Sequence, residues 1–132
     1  MIITDVEALL LRPEGELNAS IADGSQDALL VRVTTDEGIV GLGEVDSSPW
    51  VVQAIINAPA SHMTAIGLRA QLIGQDPADI DGLWRRMYFG SLYYGRRGAA
   101  VHAISGVDIA LWDIAGKVHG QPIHELLGPA SS

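Results

Sequence analysis

The chain has no cysteine, a single lysine at position 117 and a single phenylalanine, and its 8 basic residues are outnumbered by 16 acidic ones. Without thiols there can be no disulfide scaffold, thiolate zinc site, iron–sulfur cluster or cysteine nucleophile. The excess of carboxylates gives a formal net charge of −8 and an isoelectric point near 4.7. A field of that sign repels phosphate backbones, and the few arginines are not gathered into a stripe, so nucleic acid is excluded as a partner. No run approaches the roughly 18 to 20 apolar residues that a bilayer span requires, and Asp5 and Glu7 stand where a secretory leader would be basic. The expectation is a cytoplasmic protein with no membrane partner. At 132 residues the chain is also too short for an eight-stranded α/β barrel, which needs about 250. What it does have is 48% hydrophobic and 18% charged residues, the composition of one small domain with its own core.

Residues 2–12 alternate imperfectly, placing Ile2, Thr4, Val6, Ala8 and Leu10 on one side and Ile3, Asp5, Glu7, Leu9 and Leu11 on the other, which predicts a strand. From Pro13 to Asp27 small and polar residues prevail, and a loop of that length is more often a lid or binding loop than a simple connector. Residues 28–35 place Leu29, Val31 and Val33 on one face, and after the turn Asp36-Glu37-Gly38 a second arm over 38–45 completes a hairpin. Gly41 and Gly43 weaken that arm as a strand but let another backbone come close. Helices follow at about 48–57, begun by Ser48 and Pro49, at 61–73, at 79–89 and at 99–118. In the last, Val101, Ile104, Val107, Leu111, Ile114 and Val118 form one apolar stripe, Asp113 and Lys117 an i, i+4 pair, and Gly120 a left-handed cap. Strands first and helices afterwards give an α+β fold: a three-stranded antiparallel meander followed by a bundle of about three to four helices.

Chemistry-bearing residues are sparse. His62, His102, His119 and His124 show no metal-ligand spacing, and His124-Glu125 lacks the rest of a zinc-binding helix motif. Asp108 and Asp113 lie well apart around their helix and cannot share one ion or proton. Asp76, Asp79 and Asp81 resemble a calcium loop only in part, because Leu83 and Arg85 occupy positions where oxygen ligands belong, so helix capping is the better account. Arg96 and Arg97, ahead of a helix N-terminus, are candidates for holding a carboxylate or phosphate, and pairing with nearby acidic residues is the competing account. No nucleophile, general base or metal-ligating set is assigned.

The 26 residues from Ala103 to Gly128 carry a longer pattern: Ala103, Ser105, Gly106, Val107, Asp108, Ala110, Leu111, Asp113 and Gly116, then Pro122, Ile123, Leu126, Leu127 and Gly128. In this register the segment resembles the first signature of the mandelate racemase and muconate lactonizing enzyme family of the enolase superfamily. The likeness extends back through the Gly-Leu-Gly-Glu segment at 41–44 and residues 73–88 to that family's N-terminal capping domain, here 1–128, with a tail at 129–132.

The resemblance implies a cap over the mouth of an α/β barrel that binds Mg²⁺ and abstracts the proton beside the carboxylate of a sugar acid. Dehydratase, cycloisomerase and racemase are the reactions it implies. Metal carboxylates and acid/base residues lie on the barrel strands in that family, so no catalytic or metal residue is expected here, and the chain alone is expected to be inactive. Its partners would be that barrel, the carboxylate substrate and a homo-oligomer. Two cap loops should shelter the substrate, Pro13 to Asp27 and Glu44 to Trp50: Leu17, Asn18 and Ile21 from the first, Ser47, Ser48 and Trp50 from the second, with Leu17, Ile21 and Trp50 excluding water and the others hydrogen-bonding substrate oxygens. The competing reading is a free-standing protein-interaction or self-association module with the same fold.

Overall fold

The computed structural model describes residues 1–12, 14, 15, 18, 20, 21 and 26–128. Three strands, β1 (Ile3–Leu11), β2 (Ala28–Thr35) and β3 (Val40–Val45), form an antiparallel sheet in the order β1-β2-β3. Helices α1 (Pro49–Asn57), α2 (Leu68–Leu72), α3 (Ile80–Gly90), α4 (Ala99–His119) and α5 (Ile123–Leu126) follow, giving the expected α+β order.

Leu29, Val31 and Val33 are fully buried on the inner face of β2, as their alternation requires. The imperfect alternation of β1 has a structural cause. Pairing runs Ile3 with Thr35 and then Asp5 with Thr34, so one residue is extra, and the irregularity turns both Ile3 and Val6 into the core. The two had been expected on opposite faces. The hairpin bends at Gly38, whose φ of 80° suits glycine, while the Thr35 hydroxyl accepts from Ile39 N–H at 3.1 Å and donates to its carbonyl at 3.0 Å. That turn delays β3 to Val40 rather than residue 38.

The expected helix over 61–73 shortens to Leu68–Leu72. Upstream of it the backbone groups are committed elsewhere. Ser61 and Ala65 close a tight turn, Thr64 carbonyl accepts from Tyr93 N–H at 2.9 Å, and Ile66 N–H donates to Gly90 carbonyl at 2.8 Å. Gly67 is extended, and a β-carbon there would strike the Ala58 carbonyl. Tertiary bonds thus replace helical ones. Two caps follow expectation more closely: the Asp79 carboxylate accepts from Gly82 N–H at 3.1 Å, and Gly120 closes α4 with φ 64°. Ser48 occupies the N-cap of α1 ahead of Pro49 but makes no side-chain capping bond.

Helix α4 carries the core. Ile104, Val107, Leu111 and Ile114 are buried, whereas Val118, at the end of the expected stripe, is 47% exposed. A second, smaller-residue stripe was not anticipated: Ala103, Gly106 and Ala110 are buried too. It meets the two glycines of β3. A β-carbon on Gly41 would overlap the Ala110 carbonyl, and one on Gly43 the Gly106 carbonyl. The helix therefore lies directly on the strand backbone. By length and composition α4 also meets the threshold for a membrane span, against the sequence expectation, but nine of its residues are buried within the domain. It is the core helix of this fold.

Candidate functional site

The turn from β3 into α1 builds a hollow of about 340 Å³ lined by Asp27, Glu44, Asp46, Ser47, Ser48 and Trp50, with Ala28, Val45 and Pro49 between them. Its walls follow from local structure. Val45 is buried at the end of β3, and Ser47 N–H folds back onto the Val45 carbonyl at 3.2 Å. Pro49 at the start of α1 then fixes the exit direction. Because Ser48 caps with its backbone and not its hydroxyl, that hydroxyl is not spent on the helix. On the opposite side Asp27 stands at the end of the first loop, where its carboxylate meets the Arg12 guanidinium at 3.3 Å.

Trp50, 59% exposed, forms the wall between this polar hollow and an apolar groove of about 460 Å³ along α1. The groove is lined by Trp50, Val51, Ala54, Ile55, Ala58 and Tyr94. The Tyr94 hydroxyl donates to the Ile66 carbonyl at 2.7 Å, and burial raises its pKa above that of a free tyrosine. The ring consequently stays a neutral, apolar wall.

The sequence candidates divide. Ser47, Ser48 and Trp50 come together in the polar hollow. Asn18 and Ile21 do not line it. Asn18 Oδ1 instead accepts from the Ser20 N–H at 3.1 Å, the Asn18 N–H donates to Gln26 Oε1 at 2.6 Å, and Ile21 is 47% exposed. Leu17 falls outside the described residues. Arg96 and Arg97 are exposed and line neither cavity, Arg96 having a left-handed φ of 71°. Asp27, Glu44 and Asp46 line the hollow as well; they fall within the two cap loops of the sequence reading but were not singled out there. Their signal was present, because acidic residues bracket the Ser-Ser-Pro helix start, but nothing in the sequence places Asp27 across from them.

The hollow can accept hydrogen bonds at three carboxylates, one of them the Asp27 carboxylate already paired with Arg12, and exchange them at two hydroxyls, so it suits a neutral, hydroxyl-rich group better than an anion. Among the described residues no group of three or more His, Asp or Glu side chains is arranged to hold a metal ion. The three carboxylates share a cavity without converging, and the donor set does not fit Mg²⁺, which demands near-octahedral oxygen coordination. Elsewhere, Asp108 on α4 has its pKa raised, first by burial and then by Asp81, and Glu7 has its pKa lowered by the bidentate hydrogen bonds from Arg32, at 2.6 and 2.8 Å.

Comparison with known proteins agrees with this architecture. Residues 10–128 match the family model of the mandelate racemase / muconate lactonizing enzyme N-terminal domain. A D-galactonate dehydratase of Verminephrobacter eiseniae (strain EF01-2) is 45% identical over 104 residues, which cover 76% of this chain and 24% of that protein. The crystal structure of the 3,6-anhydro-D-galactonate cycloisomerase from Zobellia galactanivorans superposes with a TM-score of 0.80 at 28% identity, over 100% of this chain and 33% of that one. A mandelate racemase/muconate lactonizing protein from Paracoccus denitrificans PD1222, complexed with magnesium, gives 0.72 at 33% identity, over 99% and 31%. The chain thus spans about a quarter of the length of the curated relatives it matches. A meander whose third strand bears α4 on its glycines, a matched family model over nearly the whole chain, and relatives of this kind lead to one conclusion: the chain belongs to the mandelate racemase and muconate lactonizing enzyme family of the enolase superfamily, as its N-terminal domain.

Proposed function

We propose that this chain is the substrate cap of a Mg²⁺-dependent enzyme that abstracts the proton next to the carboxylate of a sugar acid, in a dehydration, cycloisomerisation or racemisation. The observation that carries the proposal is the polar hollow at the β3–α1 turn, placed against an exposed apolar groove with Trp50 between them. Three carboxylates and two serine hydroxyls complement the hydroxyl-bearing part of a sugar acid, and the same carboxylates repel its anionic end. The substrate carboxylate therefore points away from the cap, toward the part of the enzyme that holds the cation and the base. Trp50 excludes water where the two parts meet. The cap contributes orientation and desolvation, and none of the proton transfer.

In this reading the groove on α1 is the seat for the remainder of the enzyme, since exposed apolar surface of this kind marks an interface. The same groove supports the second reading, a self-association module, and sedimentation separates the two: a monomer at micromolar concentration removes the module. For the cap, the chain is incubated in deuterium oxide with Mg²⁺ and a panel of sugar acids. No deuterium should enter the carbon next to the carboxylate, and incorporation above background would overturn the assignment of catalysis to residues elsewhere. In parallel, amide resonances of Asp46, Ser47, Ser48 and Trp50 should shift on addition of D-galactonate, and a titration that leaves all four unmoved removes the hollow as a substrate contact.

A further inference from the structure

Among the described residues β3 is an edge strand, hydrogen-bonded to β2 on one side only. On its other side Leu42 N–H donates to Asp113 Oδ2 at 2.9 Å, and Lys117 Nζ donates to the Val40 carbonyl at 2.7 Å and to Asp113 Oδ2 at 2.6 Å. The Val40 carbonyl and the Leu42 N–H flank Gly41, and they are the acceptor and donor that an antiparallel copy of the same strand, paired about Gly41, would engage. The carboxylate and ammonium occupy both positions at once. At the opposite edge of the sheet, β1 is closed by other means: Ile3 exchanges bonds with Gly74 and Gln75, each at 2.8 Å, and Gln53 Nε2 donates to the Ala8 carbonyl at 3.1 Å.

We propose that Asp113 and Lys117 form an edge lock that prevents β3 from pairing with β3 of a second copy of this chain. Without the lock, the segment Ile39-Val40-Gly41-Leu42-Gly43-Glu44-Val45 presents free backbone donors and acceptors. It has one charged side chain and no proline, the composition of a strand that recruits its like. Leu42 projects outward and is 46% exposed, so it adds apolar surface to such a contact. Helix α4 thus does two jobs with two faces: its small residues support the strand from below, and its last polar turns close the strand's edge.

The test compares the wild-type chain with Asp113→Ala/Lys117→Met by sedimentation equilibrium over a range of concentrations, with circular dichroism confirming that both are folded. The double variant should rise to about twice the wild-type weight-average mass, with an infrared band of intermolecular strands. Adding Leu42→Lys should return the mass to the wild-type value, because a lysine on an edge strand opposes pairing. Asp79→Ala, which removes the α3 cap and leaves the edge closed, should stay at the wild-type mass. The proposal is overturned if the double variant sediments as wild type throughout. It is equally overturned if Leu42→Lys fails to reverse association, or if Asp79→Ala associates as strongly.

Discussion

The seam between α4 and β3 and the exposed face of α1 are built on opposite principles. At the seam, glycine faces backbone carbonyl at Gly41 and Gly43, and the buried Ile114 side chain lies against Gly41. At α1, Trp50 and Val51 are 59% and 48% exposed and border an open groove. A close-packed contact that leaves no room for a methyl group is complete in itself. A row of large apolar side chains in water is complete only when something covers it. The difference teaches which contact the domain satisfies by itself and which apolar face it leaves open to solvent.

Substitutions should separate the two regions by magnitude. Ile114→Ala at the seam should cost about 2–5 kcal/mol in denaturant unfolding, because the surrounding core cannot collapse onto the lost volume. A cost below about 1 kcal/mol would mean that the seam is looser than its contacts indicate. Gly43→Ala should cost about 1–3 kcal/mol, since the new methyl meets the Gly106 carbonyl, which is backbone and cannot rotate away. On the other region Trp50→Ala should change stability by no more than about 0.5 kcal/mol, while abolishing the resonance shifts that the cap reading expects at Ser47 and Ser48 on addition of D-galactonate. A large loss of stability at Trp50 would erase the contrast.

Two titrations refine it further. Asp108 on α4 has a folded-state pKa raised by burial and by Asp81. Its charged form is therefore disfavoured by folding, and stability falls as pH rises from the ordinary aspartate range through the raised value. Asp108→Asn should stabilise the chain at neutral pH and have no such effect once the pH is below both values. Glu7 on the open sheet face behaves oppositely: Arg32 lowers its pKa, so its contribution is present above the ordinary glutamate range and disappears as acid carries the pH through the lowered one. Arg32→Met should flatten that acid limb of the melting curve by a small amount, the pair being exposed to solvent. An unchanged limb would show that the ion pair contributes nothing measurable.

Much of this was legible residue by residue. The alternation in β2, the capping aspartate at 79, the glycine at 120 and the Asp113–Lys117 spacing are local properties, and local physics sets them. The paired glycines of β3 were readable as a site of close approach, although not what approached. Others were not legible because the deciding contact is distant in sequence. The helix expected over 61–73 lost its first turns to bonds with Gly90, Tyr93 and Tyr94. The irregular start of β1 depends on its register against Thr34 and Thr35. Asp27 joins Glu44 and Asp46 only because the hairpin returns the chain to the same end of the sheet.

By itself the sequence determined the order of strands and helices, the apolar stripe and C-cap of α4 and the family pattern it carries, because periodicity, caps and turn residues act over a few positions. Tertiary structure alone decided which carboxylates meet the serines of the β3–α1 turn, which face of α1 remains uncovered and which backbone edge Asp113 and Lys117 close. Those outcomes depend on groups tens of residues apart whose separation is fixed only when helix and sheet pack.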